Sequence, residues 1–561
     1  MKGIPMSDSL SPNRSHLLRG RKSLILLAAS ALCAVVAACS PVQPSSSGGG
    51  AAASPGAGPS SSGLAANYGP TAPPAPGTVK KGGTLTFGLS AQGDALDPTT
   101  TGALVNKQIF ASMCESLYRL GGDGSINPQL ATALPKITDG GKTYTIPLRA
   151  DAKFADGTPF NAAAMITTWK RDLTDPESGR KSEMGPIASM KAVDDHTVQV
   201  KFSSPFAPFS SVLTDRAGIP ESPKALKELG YDKFSTHPTC VGPYKFQSQV
   251  ANTSVTLVKD PNYYDASKVN FDKIIYRIIP DSSVRAQDLK AGSIQVTDSL
   301  ASTSMASIKS DSSIKVLTAP SMGYASLRIN LKGDTPIAKS KLLRQALSLA
   351  IDRPTIMKAL YGPYATPTCS PISDASPYAT KQSQACPAYN VAKAEQLIKQ
   401  AGVSTPVKIT VKTSNTSDSL QFAQALQSSV KAAGFDMKIE PVEFATLLDD
   451  MDNHKFEAGI LSWSGRPDPD GNLRAEMATN GTGNDSGYSN PQVDKLLDDA
   501  VHVTDTAQRA KIYGKMIAIL NTDLPYIYLD RSQILVGYKG LSGVFIDPVG
   551  VVHLAYAGTT A

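Results

Sequence analysis

The chain has 561 residues, of which 18% are charged and 41% hydrophobic, and a formal net charge of +7. Residues 1–38 hold five Lys and Arg against one acid, so removing them leaves about +3, near balance, and no basic patch for nucleic acid is implied. The roughly 480 residues beyond position 79 are too many for one hydrophobic core, so two or more lobes are expected.

In chain order, Arg14, Arg19, Arg21 and Lys22 precede an apolar run at 23–38 that ends in small residues before Cys39. A basic start, a short apolar core and small residues before a cut describe a bacterial secretory signal. The run is short for a membrane span, which needs about 20 residues. A cysteine after those small residues looks like a lipobox, so residues 1–38 are expected to be removed and Cys39 to carry lipid. Residues 41–78 are almost entirely Ser, Gly, Ala and Pro with one tyrosine and no charge, a composition expected to form a flexible spacer over 39–79.

Beyond residue 79 no apolar run is long enough to span a bilayer. Strands are predicted at 84–89, 197–202, 254–259 and 273–278 from β-branched and aromatic content. Helices are predicted at 161–172 with Asn161 as N-cap, and at 341–350, 391–401, 419–433 and 490–503 with Pro491 at the first helical position. The strands at 407–411 and 436–442 with the helix between them read as a βαβ-like unit, and the alternating order predicts an α/β fold. Four cysteines remain in an oxidising compartment, and four allow three pairings. Cys369 and Cys386 flank a Pro/Ser-rich loop, where a local bridge would stabilise by ~3 kcal/mol; Cys114 would then pair with Cys240. Metal binding is the alternative, but no pair has CxxC spacing and only His237 lies near a cysteine.

Several blocks carry a resemblance. Residues 144–169 (YTIPLRADAKFADGTPFNAAAMITTW) resemble the signature of the extracellular solute-binding proteins of peptide-type ABC importers, a family that also takes nickel, opines and some oligosaccharides. Similar blocks stand in order at 114–118, 124–131, 193–208, 241–244, 260–264, 341–353 and 463–472. The resemblance covers nearly all of 82–544. It implies a bilobed periplasmic-binding-protein-like clamp of the large type II kind with an extra subdomain, built from lobe I (80–319), lobe II (320–523) and a return to lobe I (524–561). Such a clamp closes on a solute and delivers it to a permease, with ATP hydrolysed elsewhere and no catalytic residue, metal or cofactor of its own.

By the same resemblance the solute site falls near the loop at 463–468, giving Trp463, Gly465, Arg466 and Asp468 as candidates, with Tyr324 near the crossing between lobes. In dipeptide and oligopeptide binders an aspartate after the matching aromatic pairs with the peptide's amine; here that neighbourhood holds Arg466, whose planar fork suits a carboxylate. Two readings stay open: a peptide held by other groups, or an acidic or sugar-like solute such as an opine, a sugar acid or an oligosaccharide held by Arg466 and stacked on Trp463. The plain alternative is that Arg466 pairs with Asp468 or Asp470 and shapes its loop. Asp468, Asp470 and Asn472 fail as a calcium loop, because Leu473 stands where glycine is needed and Thr479 where the last acid would be. There is no G-x-S-x-G, H-E-x-x-H or phosphate-loop motif, so an enzyme is not expected. The expected protein is a monomeric, lipid-anchored receptor on the outer face of the cell membrane, for a peptide or peptide-like solute; a surface signalling or adhesion receptor is the lesser alternative.

Overall fold

The computed structural model describes residues 66–561, apart from the side chain at 445. The secretory signal and Cys39 lie outside the described residues. Residues 66–79 do not behave as the spacer that their composition predicts. Asn67 exchanges backbone hydrogen bonds with Thr318 at 2.6 and 3.0 Å, and the Tyr68 carbonyl accepts from Ile546 N at 2.9 Å. The tyrosine ring packs on a core cluster, and Val79–Lys80 pairs antiparallel with Gly558–Thr560. One aromatic ring gives this Ser/Gly/Pro stretch enough apolar surface to dock.

The strands predicted at 84–89, 197–202, 254–259 and 273–278 are present with those bounds. Most belong to one twelve-stranded sheet. Its first part runs Tyr244–Val250, Ser254–Lys259, Lys273–Ile278, Thr84–Leu89, Val296–Thr297; its second runs Tyr324–Ile329, Ala458–Trp463, Val407–Ser414, Phe435–Val442. Each part has its own core, one around Phe87, Tyr276 and Val536, the other around Leu327, Leu347, Val411 and Leu426. In the second part Val407–Ser414 and Phe435–Val442 are parallel neighbours joined through helix Ser417–Lys431, the predicted βαβ unit.

The strand Tyr526–Lys539 joins the two parts. Its early residues pair with Tyr324–Ile329 and Ala365–Pro367, and its later ones with Ile314–Pro320. The chain therefore passes from one part to the other within this strand, near 530–533, rather than at 524. The earlier crossing is the short link between Pro320 and Tyr324. Arg531 ties the two crossings together: one Nη donates to the carbonyl of Gly323, the other to those of Ser370 and Ile372 at 3.0 Å.

A separate four-stranded antiparallel sheet, Lys136–Thr138, Thr143–Pro147, Thr197–Phe202 and Ile187–Asp194, forms the extra subdomain. Helix Ala162–Thr174 starts at Asn161, whose side chain accepts from Ala164 N at 2.9 Å, the predicted N-cap. Trp169 on this helix is fully buried, donating to Ala217 O at 2.8 Å. Disulfides join Cys114 to Cys240 and Cys369 to Cys386. No helix among the described residues is long and apolar enough to cross a membrane.

Candidate functional site

The strand Ala458–Trp463 pairs antiparallel with Tyr324–Ile329, placing Trp463 opposite Tyr324. Beyond Trp463 the chain turns into helix Pro469–Met477, whose N-cap is Asp468. Gly465 sits at φ +87°, and a Cβ there would lie 2.3 Å from the Met322 carbonyl carbon; a Cβ on Gly323 would lie 1.9 Å from the Trp463 oxygen. Two side-chain-free positions thus let this loop lie directly on the Pro320–Tyr324 crossing.

Asn472 clasps the loop. Its Oδ1 accepts from Trp463 Nε1 at 2.8 Å and from Arg466 N at 2.6 Å, and its Nδ2 donates to Arg466 O at 3.0 Å. Asp468 is held by Arg509 through two bonds of 2.7 Å, and Arg509 also reaches Tyr378 and Tyr513. Burial opposes the charge of Arg509, yet Asp468 holds its pKa above the ordinary value. Asp470 pairs with Arg474. Asp468 is therefore a buried anchor of its loop. Tyr324 is 3% exposed, its hydroxyl bonded to Glu476 and its ring edge-on to Tyr528 at 5.0 Å. It is packed into a core rather than lining an opening, which corrects the expectation for it.

Arg466 pairs with neither Asp468 nor Asp470. Its guanidinium lies 4.7 Å from the centre of the Trp463 ring and donates to Gly465 O at 3.0 Å. Its charge partners come from the other part of the molecule: Nε is 3.4 Å from Asp215 Oδ2 and Nη2 is 3.6 Å from Glu183 Oε1. Glu183 is also held by Arg180 at 2.8 Å. Asp215 receives in addition Lys107, from helix Leu104–Met113, and lies 3.5 Å from Arg216 Nη1.

This cluster is buried, and its electrostatics follow from that. Burial pushes Lys107 down to about 7, with Asp215 opposing and Arg466 and Arg216 adding to the fall. Burial lowers Arg216 to about 10, again against Asp215. Asp215 is held well below the usual carboxylate range, since Lys107, Arg216 and Arg466 outweigh its burial. A cavity of about 80 Å³ opens beside them, lined by Lys107, Arg119, Asp215, Arg216, Pro467 and His553 among others. Lys107, Asp215, Arg216 and Glu183 escaped sequence reasoning. They lie at least 247 positions from the loop they face, and none sits in a motif; the only trace was an Asp-Arg pair between two blocks of the resemblance. Among the described residues no three His, Cys, Asp or Glu gather as a metal site.

Comparison with known proteins fits this architecture. The glutathione-binding protein GsiB of Escherichia coli O1:K1 is 28% identical over 469 residues, 81% of this chain and 90% of that protein. GsiB of Pectobacterium atrosepticum is 27% identical over 468 residues, covering 81% and 90%. Among solved structures, the murein tripeptide binding protein MppA of Escherichia coli superposes with a TM-score of 0.80 at 23% identity, covering 86% of this chain and all of that one. DppA of Helicobacter pylori, in complex with the peptide STSA, gives 0.78 at 24% identity, covering 86% and 99%. The fold is that of the type II periplasmic binding proteins, and these relatives are binding proteins rather than enzymes. The model of the bacterial extracellular solute-binding proteins, family 5, matches residues 125–485. The chain belongs to that family of extracellular solute-binding proteins.

Proposed function

We propose that this chain is the lipid-anchored receptor of an ABC importer, tethered through Cys39 on the outer face of the cell membrane, and that it captures a peptide or peptide-like solute for the permease. The proposed clamp has one lobe from 80–319 and the stretch beyond about 533, the other from 320 to about 532. The observation that carries this reading is the reach of Arg466 from the second lobe to Asp215 and Glu183 in the first. A charged contact across a cleft is the kind of interaction that a closing motion makes and an opening motion breaks. The cavity behind it, about 80 Å³, holds a few waters and not a peptide, so admission requires the lobes to part. The binding of glutathione by GsiB and of STSA by DppA supports a short peptide as the solute. The clamp carries out no chemistry, and it works as a monomer.

A second reading, a non-peptide acid such as an opine or sugar acid, is favoured by the number of cations in the cluster. Native mass spectra of the chain purified from its host, before and after mild denaturation, separate the two. A released peptide supports the proposal. A released non-peptide acid supports the second reading. A candidate peptide returned shortened after incubation would overturn the binding role in favour of a peptidase.

A further inference from the structure

The inner end of the Arg466 contact gathers basic side chains around a cavity, and on the solute-binding reading above their unbonded donors name the solute's chemistry. Lys107, Arg216 and Arg466 gather on Asp215, and Arg180 and Arg466 on Glu183, with Asp172 acting on Arg180 and Glu476 on Arg466 from further off. The other carboxylate among the cavity-lining residues, Asp547, is already taken by the N–H groups of Val549 and Val551 and by His553. A further cation, Arg119, lines the cavity with its guanidinium 5.2 Å from the Phe545 ring centre.

Arg216 is the most telling. It is 1% exposed, and one Nη donates to Gly102 O and Ala103 O. Its Nε and other Nη have no hydrogen-bond partner among the described residues, although that Nη stands 3.5 Å from Asp215. Buried guanidinium donors left unbonded are costly, and they are found where a partner completes them. A carboxylate matches the fork of a guanidinium and would occupy about the space that this cavity offers.

We propose that the acid end of the solute enters this cavity and is held by Arg216, with Lys107 and Arg119 beside it, so that the cleft selects solutes carrying a free carboxylate over neutral forms of the same skeleton. Arg466, already engaged by Asp215, Glu183 and Trp463, serves closure and not acid recognition. The acid could be a chain terminus, an acidic side chain or a sugar acid; the chemistry is the same.

The test is titration calorimetry on the purified chain with glutathione and its diethyl ester, and with trialanine and its C-terminal amide. The expected result is at least tenfold tighter binding of an acid than of its masked form, a difference that Arg216→Gln reduces below threefold. Preference for trialanine over its amide places the terminal carboxylate in the site; preference only within the glutathione pair places the γ-glutamyl acid there. Should Arg216→Gln fold poorly by its circular dichroism melt, Lys107→Met carries the test, with the same narrowing expected. Equal affinity for acids and masked forms would overturn the proposal while leaving the peptide receptor intact. Binding of none of the four probes would overturn the peptide reading and the proposal together.

Discussion

Single side chains in this protein repeatedly hold charge where water is absent. Asp172, 1% exposed, is pushed up to about 7 by burial, with Thr99, Arg180 and Arg171 opposing. Its proton is held more tightly in the folded chain than in the unfolded one, where an aspartate titrates near ~3.9. The stability this gives is complete below that value and is lost as pH rises toward 7. Asp172→Asn keeps an oxygen for Thr99 and has nothing to deprotonate. Its melting temperature should match the parent near pH 4 and exceed it at pH 7 to 8, by an amount on the order of a few kcal/mol in stability; parallel melting curves across that range would refute the assignment. The residue scale is also where the sequence was least legible. Trp463 and Arg466 stand out in a linear reading, but what they do depends on Asn472 nearby and on Asp215 and Glu183 far off in the chain. An arginine's partner cannot be inferred from neighbours when the nearest acids, Asp468 and Asp470, are claimed by Arg509 and Arg474.

At the scale of elements the sequence was far more transparent. Strands of alternating or β-branched residues and helices opened by Asn161 or by Pro491 at the first helical position announce themselves, because caps and periodicity are local. Which strands become neighbours is not local, so the join made by Tyr526–Lys539 and the docking of residues 66–79 had to be observed. The disulfides divide in the same way. Cys369 and Cys386 close 17 positions of chain, whereas Cys114 and Cys240 close 126 and tie the end of helix Leu104–Met113 to the segment just before strand Tyr244–Val250. Loop-closure entropy assigns ~3 kcal/mol to a loop near 15 residues and ~4.7 to one near 100. Replacing Cys114 and Cys240 by alanine should therefore lower the melting temperature more than replacing Cys369 and Cys386. Calorimetry on both double variants checks the order, and a reversed order would show that native packing, not chain entropy, sets the contribution.

For the whole molecule the proposed closure makes a claim about Arg466. Its contacts to Asp215 and Glu183 stand beside two others between the same parts, Ser182 to Thr482 at 3.1 Å and Ala207 N to Val501 O at 2.9 Å. Removing the guanidinium takes stability from the closed form alone. Arg466→Ala should weaken an acidic and a neutral solute by the same factor, about tenfold, or ~1.4 kcal/mol. Small-angle scattering of the solute-free variant should give a larger radius of gyration than the parent. A loss confined to acidic solutes would instead make Arg466 the acid's own partner.

The pinning of both crossings by Arg531 has a mechanical corollary. Two links placed side by side and stapled through the carbonyls of Gly323, Ser370 and Ile372 permit rotation about the line joining them and resist sliding or twisting. Opening then has a single coordinate, as a door on two pins has. If the proposed closure holds, one distance, read between a label on each side of the cleft, would report the whole conformational state of the protein.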